Sequence, residues 1–149
     1  MARRRGLLFR IFRALLLLTL AVVVAGLVII WRVGAWNLVF PNQEHDSIAP
    51  VLPESLFSPA VLVFSKTNGF RHVEGIESGL RALQTIAHNR GWAIFHTENG
   101  AVFNADDLQH FDAVVFLNAS GDMLNTAQEQ AFQQWLEAGG GWLGIHAAG

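Results

Sequence analysis

AVLVFSKTNG, residues 60–69, is an apolar run that ends in a polar loop. A continuous apolar run of this length predicts a β-strand that is buried on both faces, and the polar residues after it predict where the strand stops. Three further runs of this kind follow at residues 92–97, 112–118 and 142–146. We therefore predict four buried strands in the C-terminal part of the chain.

The segments between these runs have helical periodicity. In residues 75–90 the apolar positions lie three or four apart, and Gly91 follows where a helix commonly ends. A second long helix is predicted at residues 126–138, with Thr126 as its N-cap and Glu129 completing a capping box. Strands that alternate with helices on short connections predict right-handed crossovers and a parallel sheet. The predicted fold class is therefore α/β, Rossmann-like or flavodoxin-like, with flanking helices.

The fourth predicted strand has no helical segment after it. A parallel strand with two apolar faces needs cover on both sides, and a doubly wound domain usually has about 100 to 150 residues. Residues 60–149 number only 90. We therefore expect them to form an incomplete, truncated α/β domain.

Charge is distributed unevenly along the 149 residues. The first 32 residues contain six arginines and no acidic residue, which leaves four basic and twelve acidic residues in the remainder. Because this remainder would repel phosphates, no nucleic-acid partner is expected. The chain has no cysteine, which excludes disulfides, zinc–thiolate sites and thiol nucleophiles.

Residues 14–31 are eighteen consecutive uncharged residues that follow the arginine cluster. With flanking residues they are long enough to cross about 30 Å of hydrocarbon. Since positive flanks stay in the cytoplasm, residues 1–32 predict a single-pass anchor whose following domain lies on the non-cytoplasmic side. A cleaved signal peptide is the main alternative, because residues 33–35 contain small side chains near the end of the run. A buried core helix is disfavoured, because the run is apolar on every face.

Residues 33–59 contain all four prolines of the chain, mixed with polar and acidic residues. This composition is typical of a linker. We expect an extended spacer between the anchor and the α/β domain. The alternative is that part of the linker packs on the domain as coil.

Polar residues gather where the predicted strands end. Ligands of open parallel sheets bind beyond the carboxyl ends of the strands, so these residues predict a site for a polar substrate. Each has a structural alternative, such as an ion pair between Arg71 and Glu98, a cap of the next helix by His72, or a buried core position for His146. The candidates, by position after the four strands, are Lys66, Phe70, Arg71 and His72; Glu98; Asn118, Gly121 and Asp122; and His146.

His146 is the centre of the sequence Gly-Ile-His-Ala-Ala, which has the small-residue frame of a nucleophile elbow. With histidine at the centre and no cysteine in the chain, cysteine-dependent glutamine hydrolysis is excluded. Histidine side chains titrate near neutral pH, so His146 is a candidate general base. The dispersed histidines and carboxylates match no compact metal signature, and the glycines match no nucleotide-binding motif. No metal or other cofactor is predicted.

Three blocks of sequence, residues 61–72 (VLVFSKTNGFRH), 115–122 (VFLNASGD) and 139–148 (GGGWLGIHAA), resemble the ThuA-like (trehalose utilisation) family. That family has a class I glutamine amidotransferase-like, flavodoxin-type fold, with histidine at the elbow position. The resemblance implies a role in carbohydrate metabolism. It also implies that the domain normally continues beyond the last block. All the candidates above except Lys66 match positions of the family pattern.

These observations lead to one main functional hypothesis and two alternatives. The main one is a membrane-anchored, extracytoplasmic ThuA-like domain that processes a sugar or sugar-derived polyol, with His72 and His146 as acid–base residues and Asn118 and Asp122 orienting hydroxyls. The first alternative is a non-catalytic carbohydrate-binding or scaffold module. The second is an inactive truncated fragment. Neither the reaction nor the oligomeric state is predicted.

Overall fold

Four parallel strands form the sheet of the computed structural model, which describes residues 2–148. The strands are β1 (Ala60–Phe64), β2 (Ala93–Thr97), β3 (Ala113–Leu117) and β4 (Gly141–Ile145). Their order is β2-β1-β3-β4, and every neighbouring pair is parallel. The predicted parallel α/β fold is therefore confirmed. Met1, Gly149 and the side chains of residues 2–5, which include three of the six N-terminal arginines, lie outside the described part.

Helices and short helical turns connect the strands in chain order. The N-terminal part forms α1 (Ala2–Arg32) and the short α2 (Trp36–Val39). The crossovers contain α3 (Val73–Arg90), a 3-10 turn at Gly100–Val102 followed by α4 (Ala105–Leu108), and α5 (Thr126–Glu137). Gly91 ends α3 at φ 66°, in the left-handed conformation expected of a C-cap glycine.

The N-cap of α5 is Asn125, so the prediction of Thr126 was wrong by one residue. The Asn125 side-chain oxygen accepts hydrogen bonds from the amides of Ala127 and Gln128. In return, the Gln128 side chain accepts from the Asn125 amide, which completes the capping box. Thr126 is an equally good cap by residue type. Only Asn125 has a glutamine three residues later that is also buried against the domain.

Apolar side chains cover both faces of β1. Leu62 and Phe64 point into the larger core, whereas Val63 belongs to a second, smaller core on the side of α3. All three side chains are completely buried. Burial of a side chain of this size contributes about 1.5–3 kcal/mol to folding, so β1 is the centre of the fold.

Strand β4 lies at the edge of the sheet and is not a buried strand within the described residues. Trp142 is 51% exposed and Leu143 is 52% exposed. The prediction that residues 142–146 form a buried strand was wrong in its burial, because β4 pairs only with β3 and little of the described chain covers it. Phe116 on β3 lies in the larger core, as predicted for a buried strand, and Trp135 on α5 packs against that core.

Helix α1 includes a 27-residue stretch, Gly6–Arg32, that is long and apolar enough to cross a membrane, and an 18-residue window within it has a mean hydropathy of 2.9. None of this window is buried against the rest of the described chain, whereas the core helix of a soluble protein is mostly buried. Its length and composition fit a membrane anchor and a signal sequence alike.

The linker does not extend away from the domain. Residues 42–48, which we call the strap, lie across the carboxyl edge of the sheet and make hydrogen bonds to three separate loops and to α5. This part of the linker therefore packs on the domain as coil, which was the alternative to an extended spacer. The strap contributes side chains to the candidate site.

Asn125→Ala should lower the free energy of unfolding by about 1 kcal/mol, because it removes the side-chain oxygen that accepts from the Ala127 and Gln128 amides. Thr126→Ala is the matched control and should change stability by less than about 0.5 kcal/mol, since Thr126 is exposed and already helical. Thermal unfolding followed by circular dichroism measures both. Equal destabilisation by the two substitutions would contradict Asn125 as the cap.

Candidate functional site

The loops that follow the strands meet at the carboxyl edge of the sheet. A parallel bridge between Thr67 and Ser120 joins the loops after β1 and β3, and the Asn118 amide donates to the Ile145 carbonyl at 3.0 Å. The sequence-predicted residues all lie at this edge, but in two groups. One group surrounds a polar pocket over β1 and β2, and the other surrounds a pair of histidines over β1, β3 and β4.

The polar pocket is a cavity of about 310 Å³ between the strap and the loops after β1 and β2. Three of the predicted residues, Lys66, Arg71 and Glu98, line it. Thr67 and Asn68 of the loop after β1 also line it. The other four lining residues belong to the strap, and the sequence did not predict them, because a linker composition carries no periodicity that would place it on the sheet. They are Asn42, Glu44, His45 and Asp46.

Lys66 is the most buried cation at this edge, with 9% of its surface exposed. Its Nζ donates to the Asp46 carboxylate at 2.5 Å, and the same carboxylate oxygen accepts from the Gly100 amide at 2.8 Å. Partial burial raises the pKa of Asp46, but the hydrogen bonds from Lys66 and Gly100 and the charge of Lys66 outweigh it. The pKa of Asp46 therefore lies below its ordinary value of 3.8.

Arg71 and Glu98 form a two-pronged ion pair beside Lys66. The two nitrogen–oxygen distances are 2.7 and 3.0 Å, and Arg71 also donates to the Thr67 hydroxyl. The hydrogen bonds to Glu98 raise the pKa of Arg71, against the effect of burial. This ion pair is the structural alternative to substrate binding by Arg71 and Glu98 that the sequence left open.

His96 is a further titratable residue that sequence reasoning did not select. It lies on β2, and its Nε2 is 2.7 Å from the Ser65 hydroxyl. Burial lowers the pKa of His96 below its ordinary 6.5; Glu98 raises it and Arg71 lowers it further. His96 is consequently neutral at pH 7 and can share one hydrogen bond with Ser65.

Asp122 lies at the margin of this pocket and contacts the strap. Its carboxylate is 3.2 Å from His45 Nε2, and its backbone carbonyl accepts from the buried Asn68 side chain. Asp122 therefore pairs with the strap residue His45.

The second group centres on His72 and His146, whose ring centroids are 5.3 Å apart with the rings edge to face. His72 precedes α3 but its side chain makes no capping hydrogen bond, so the capping alternative does not apply. His146 follows β4 at φ 61°, a strained conformation for a residue that is not glycine. It is exposed and not a core histidine. The Ala147 amide donates to His146 Nδ1 at 2.6 Å. The second ring nitrogen, Nε2, takes no part in this hydrogen bond.

Phe70 and Asn118 border the histidine pair. The Phe70 ring centroid is 5.8 Å from that of His72. Asn118 is buried and has φ 50°. A methyl group on Gly75 would lie 3.2 Å from the Asn118 side-chain oxygen and 3.3 Å from His72 Cγ, so the glycine allows these two side chains to approach each other.

Gly121 brings two loops together. Its φ is 82°, and a side chain at this position would collide with the backbone of Gly69. The loops after β1 and β3 approach each other so closely here that position 121 requires a glycine. Among residues 2–148, no group of three or more histidine, aspartate or glutamate side chains is placed to hold a metal ion.

A four-stranded parallel sheet with flanking helices and a polar site at its carboxyl edge defines an α/β protein of the flavodoxin-like type. The family model described as ThuA, trehalose utilisation, matches residues 60–149. The chain therefore belongs to the ThuA family, which confirms the resemblance seen in the three sequence blocks.

A ThuA-like protein from Bacteroides uniformis, known from a crystal structure, is similar in fold. The two chains share 23% sequence identity with a TM-score of 0.51, and the match covers 67% of this chain. This chain spans 40% of the length of that protein. No curated protein matches this chain.

Asp46→Asn should weaken strap docking and lower the free energy of unfolding by about 1 kcal/mol at neutral pH, since the carboxylate is 36% exposed and partly screened. Because the folded pKa of Asp46 is lowered, its contribution is present above pH 3.8 and is lost as the pH falls through the folded pKa. The variant should lose less stability on acidification than the wild type. Thermal unfolding between about pH 7 and pH 2 measures this.

Asp106→Asn serves as the control for this experiment, because Asp106 is exposed on α4 and is not a hydrogen-bond partner of Lys66 or of the strap among the described residues. It should keep the acid sensitivity of the wild type. Identical acid profiles for Asp46→Asn and the wild type would contradict the role of the Lys66–Asp46 pair.

Gly121→Ala should destabilise the protein by more than about 2 kcal/mol, because the left-handed backbone and the collision with Gly69 both oppose a side chain. Gly91→Ala isolates the backbone cost, since Gly91 has φ 66° but open space around it. Its expected loss is about 1 kcal/mol. Chemical denaturation of both variants tests the difference, and equal losses would show that the loop contact is unimportant.

Proposed function

We propose that this ThuA-family domain binds a sugar or sugar-derived polyol at the carboxyl edge of its sheet and processes it by acid–base chemistry at His72 and His146. The observation that carries the proposal is the 5.3 Å approach of these two imidazole rings, which come from separate loops. The family match supports the coarser part, a role in carbohydrate metabolism.

The geometry of the pair suits proton transfer at a hydroxyl group. His146 Nδ1 accepts the Ala147 amide proton, so in the neutral ring the exchangeable proton is on Nε2. His72 is only partly buried and is not used as a helix cap. A neutral imidazole can accept a proton from a substrate hydroxyl, and the imidazolium so formed can then give that proton to a departing oxygen, with the other ring hydrogen-bonded to the reacting group.

The neighbouring residues would select and orient the substrate in this proposal. Asn118 offers a donor and an acceptor on one side chain, which matches vicinal hydroxyls. Phe70 can stack on an apolar sugar face beside His72. Lys66, Arg71, Glu98 and Asp122 would act from the adjoining polar pocket.

We also propose that α1 anchors the chain in a membrane, with the α/β domain on the non-cytoplasmic side. The apolar stretch of α1 and the arginines that precede it support this arrangement. The exposed surface of the helix within the described chain is consistent with a lipid environment.

Binding without turnover is the second candidate function, and the polar pocket is the observation that favours it. The charges of its two cations are already compensated, Lys66 by Asp46 and Arg71 by Glu98. Such a pocket can recognise hydroxyl groups through fixed donors and acceptors and needs no change of protonation.

Single substitutions His72→Ala and His146→Ala should each lower kcat by about 10²- to 10⁴-fold, the usual contribution of a general acid or base. Binding of a sugar such as trehalose is measured by calorimetry, and conversion is followed by chromatography of the products. The fold should persist in both variants, since neither ring is in a core.

His88→Ala provides the control, because His88 is exposed in the last turn of α3, far from the edge. It should retain wild-type turnover. Binding of an unchanged sugar with no product would favour the binding module. Full activity in both the His72 and the His146 variants would refute acid–base catalysis by the pair.

A further inference from the structure

The end of α1 is attached directly to the candidate site. The Arg71 amide donates to the Gly34 carbonyl at 3.0 Å, and the Asn37 side chain donates to the Thr67 carbonyl at 3.1 Å. Gly34 turns the chain at φ 75°, and a side chain there would collide with the Arg71 carbonyl. Two hydrogen bonds and one close backbone contact thus tie the loop after β1 to the residues that follow α1.

Large apolar side chains surround this junction. Helix α2 and the residue after it expose Trp36, Leu38, Val39 and Phe40 by 39 to 63%. The rings of Trp36 and Phe40 are 4.6 Å apart. Tryptophan is enriched at the interface between hydrocarbon and water, and this cluster follows the last apolar residue of α1, Trp31, by only a few residues.

The junction is short compared with the headgroup layer of a bilayer. Gly34 is three residues beyond Trp31, which is about 5 Å of helical rise. The headgroup region adds about 5 to 8 Å on each side of the hydrocarbon. The Arg71 amide, hydrogen-bonded to Gly34, therefore falls within or just above the headgroups, and the Cα of His72 is about 4 Å further along the chain.

We propose that the carboxyl edge is held against the membrane headgroup layer, and that its ligand is the saccharide or polyol headgroup of a membrane-bound molecule. This proposal rests on the proposed function and specifies the source of the sugar. A site fixed at this height meets lipid-linked headgroups at a high effective concentration, whereas a free sugar gains nothing from the junction. The apolar cluster and the two hydrogen bonds then hold the carboxyl edge at a fixed distance from the hydrocarbon of the membrane.

The absence of cysteine allows a direct test of this geometry in the full-length chain. Val73→Cys places a single thiol beside His72 at the start of α3, where the side chain is 42% exposed. Arg90→Cys places one at the other end of the same helix, about 25 Å away. Each variant is labelled with an environment-sensitive fluorophore and reconstituted in phosphatidylcholine vesicles with lipids that carry a nitroxide quencher on the headgroup.

The label at position 73 should be quenched several-fold more than the label at position 90. Equal quenching, or stronger quenching at position 90, would overturn the placement of the edge at the headgroups whether or not any sugar binds. This arm needs no ligand, so its failure is separate from a failure of the proposed function.

The second arm concerns the source of the sugar. The sugar that binds in the calorimetry experiment, with trehalose as the first probe, is compared in its free soluble form and as a diacylglycerol conjugate, linked through a primary hydroxyl, in phosphatidylcholine vesicles. Apparent affinity should be at least tenfold higher for the conjugate. Equal affinities would overturn the membrane-bound ligand and leave the proposed function standing. Binding of neither form would refute the proposed function itself.

Discussion

Burial of β1 on both faces, complete at Leu62, Val63 and Phe64, is the constraint on which the rest of the structure depends. A strand that packs on both faces has no room for polar groups along its length, so the polar residues begin at Ser65, where the strand ends. Parallel pairing brings the ends of β2 and β3 to the same edge. The candidate site is therefore a direct consequence of how the core is built.

The fold could be read from the sequence because each strand is a short apolar run between turn residues, and the helices between the runs have their own periodicity. The same reasoning placed all nine candidate residues at one edge, since the carboxyl ends of parallel strands coincide. The spacing of His72 and His146 required the structure, because it depends on the turn that gives His146 its positive φ. The choice of Asn125 over Thr126 as the N-cap also depended on tertiary contacts.

The strap was not predictable in the same way. Its residues have no repeating pattern, and the three hydrogen bonds of Asp46 reach partners 20 to 82 residues away in the chain. Long-range polar contacts of this kind leave no signature in local sequence. They nevertheless decide which charges at the edge are paired, because Asp46 is the partner of Lys66 and His45 is the partner of Asp122.

The strap has a consequence for the order in which the chain can fold during synthesis. Residues 42–48 leave the ribosome before any strand of the sheet, yet the Asp46 carboxylate needs the loop after β1 and the Gly100 amide, and the Asp46 carbonyl needs Gln128 on α5. Residues 42–48 therefore cannot dock completely until α5 has been synthesised. In the proposed arrangement, with α1 anchored in a membrane, the chain spends this interval tethered at the bilayer surface, which keeps residues 42–48 close to the edge on which they will dock.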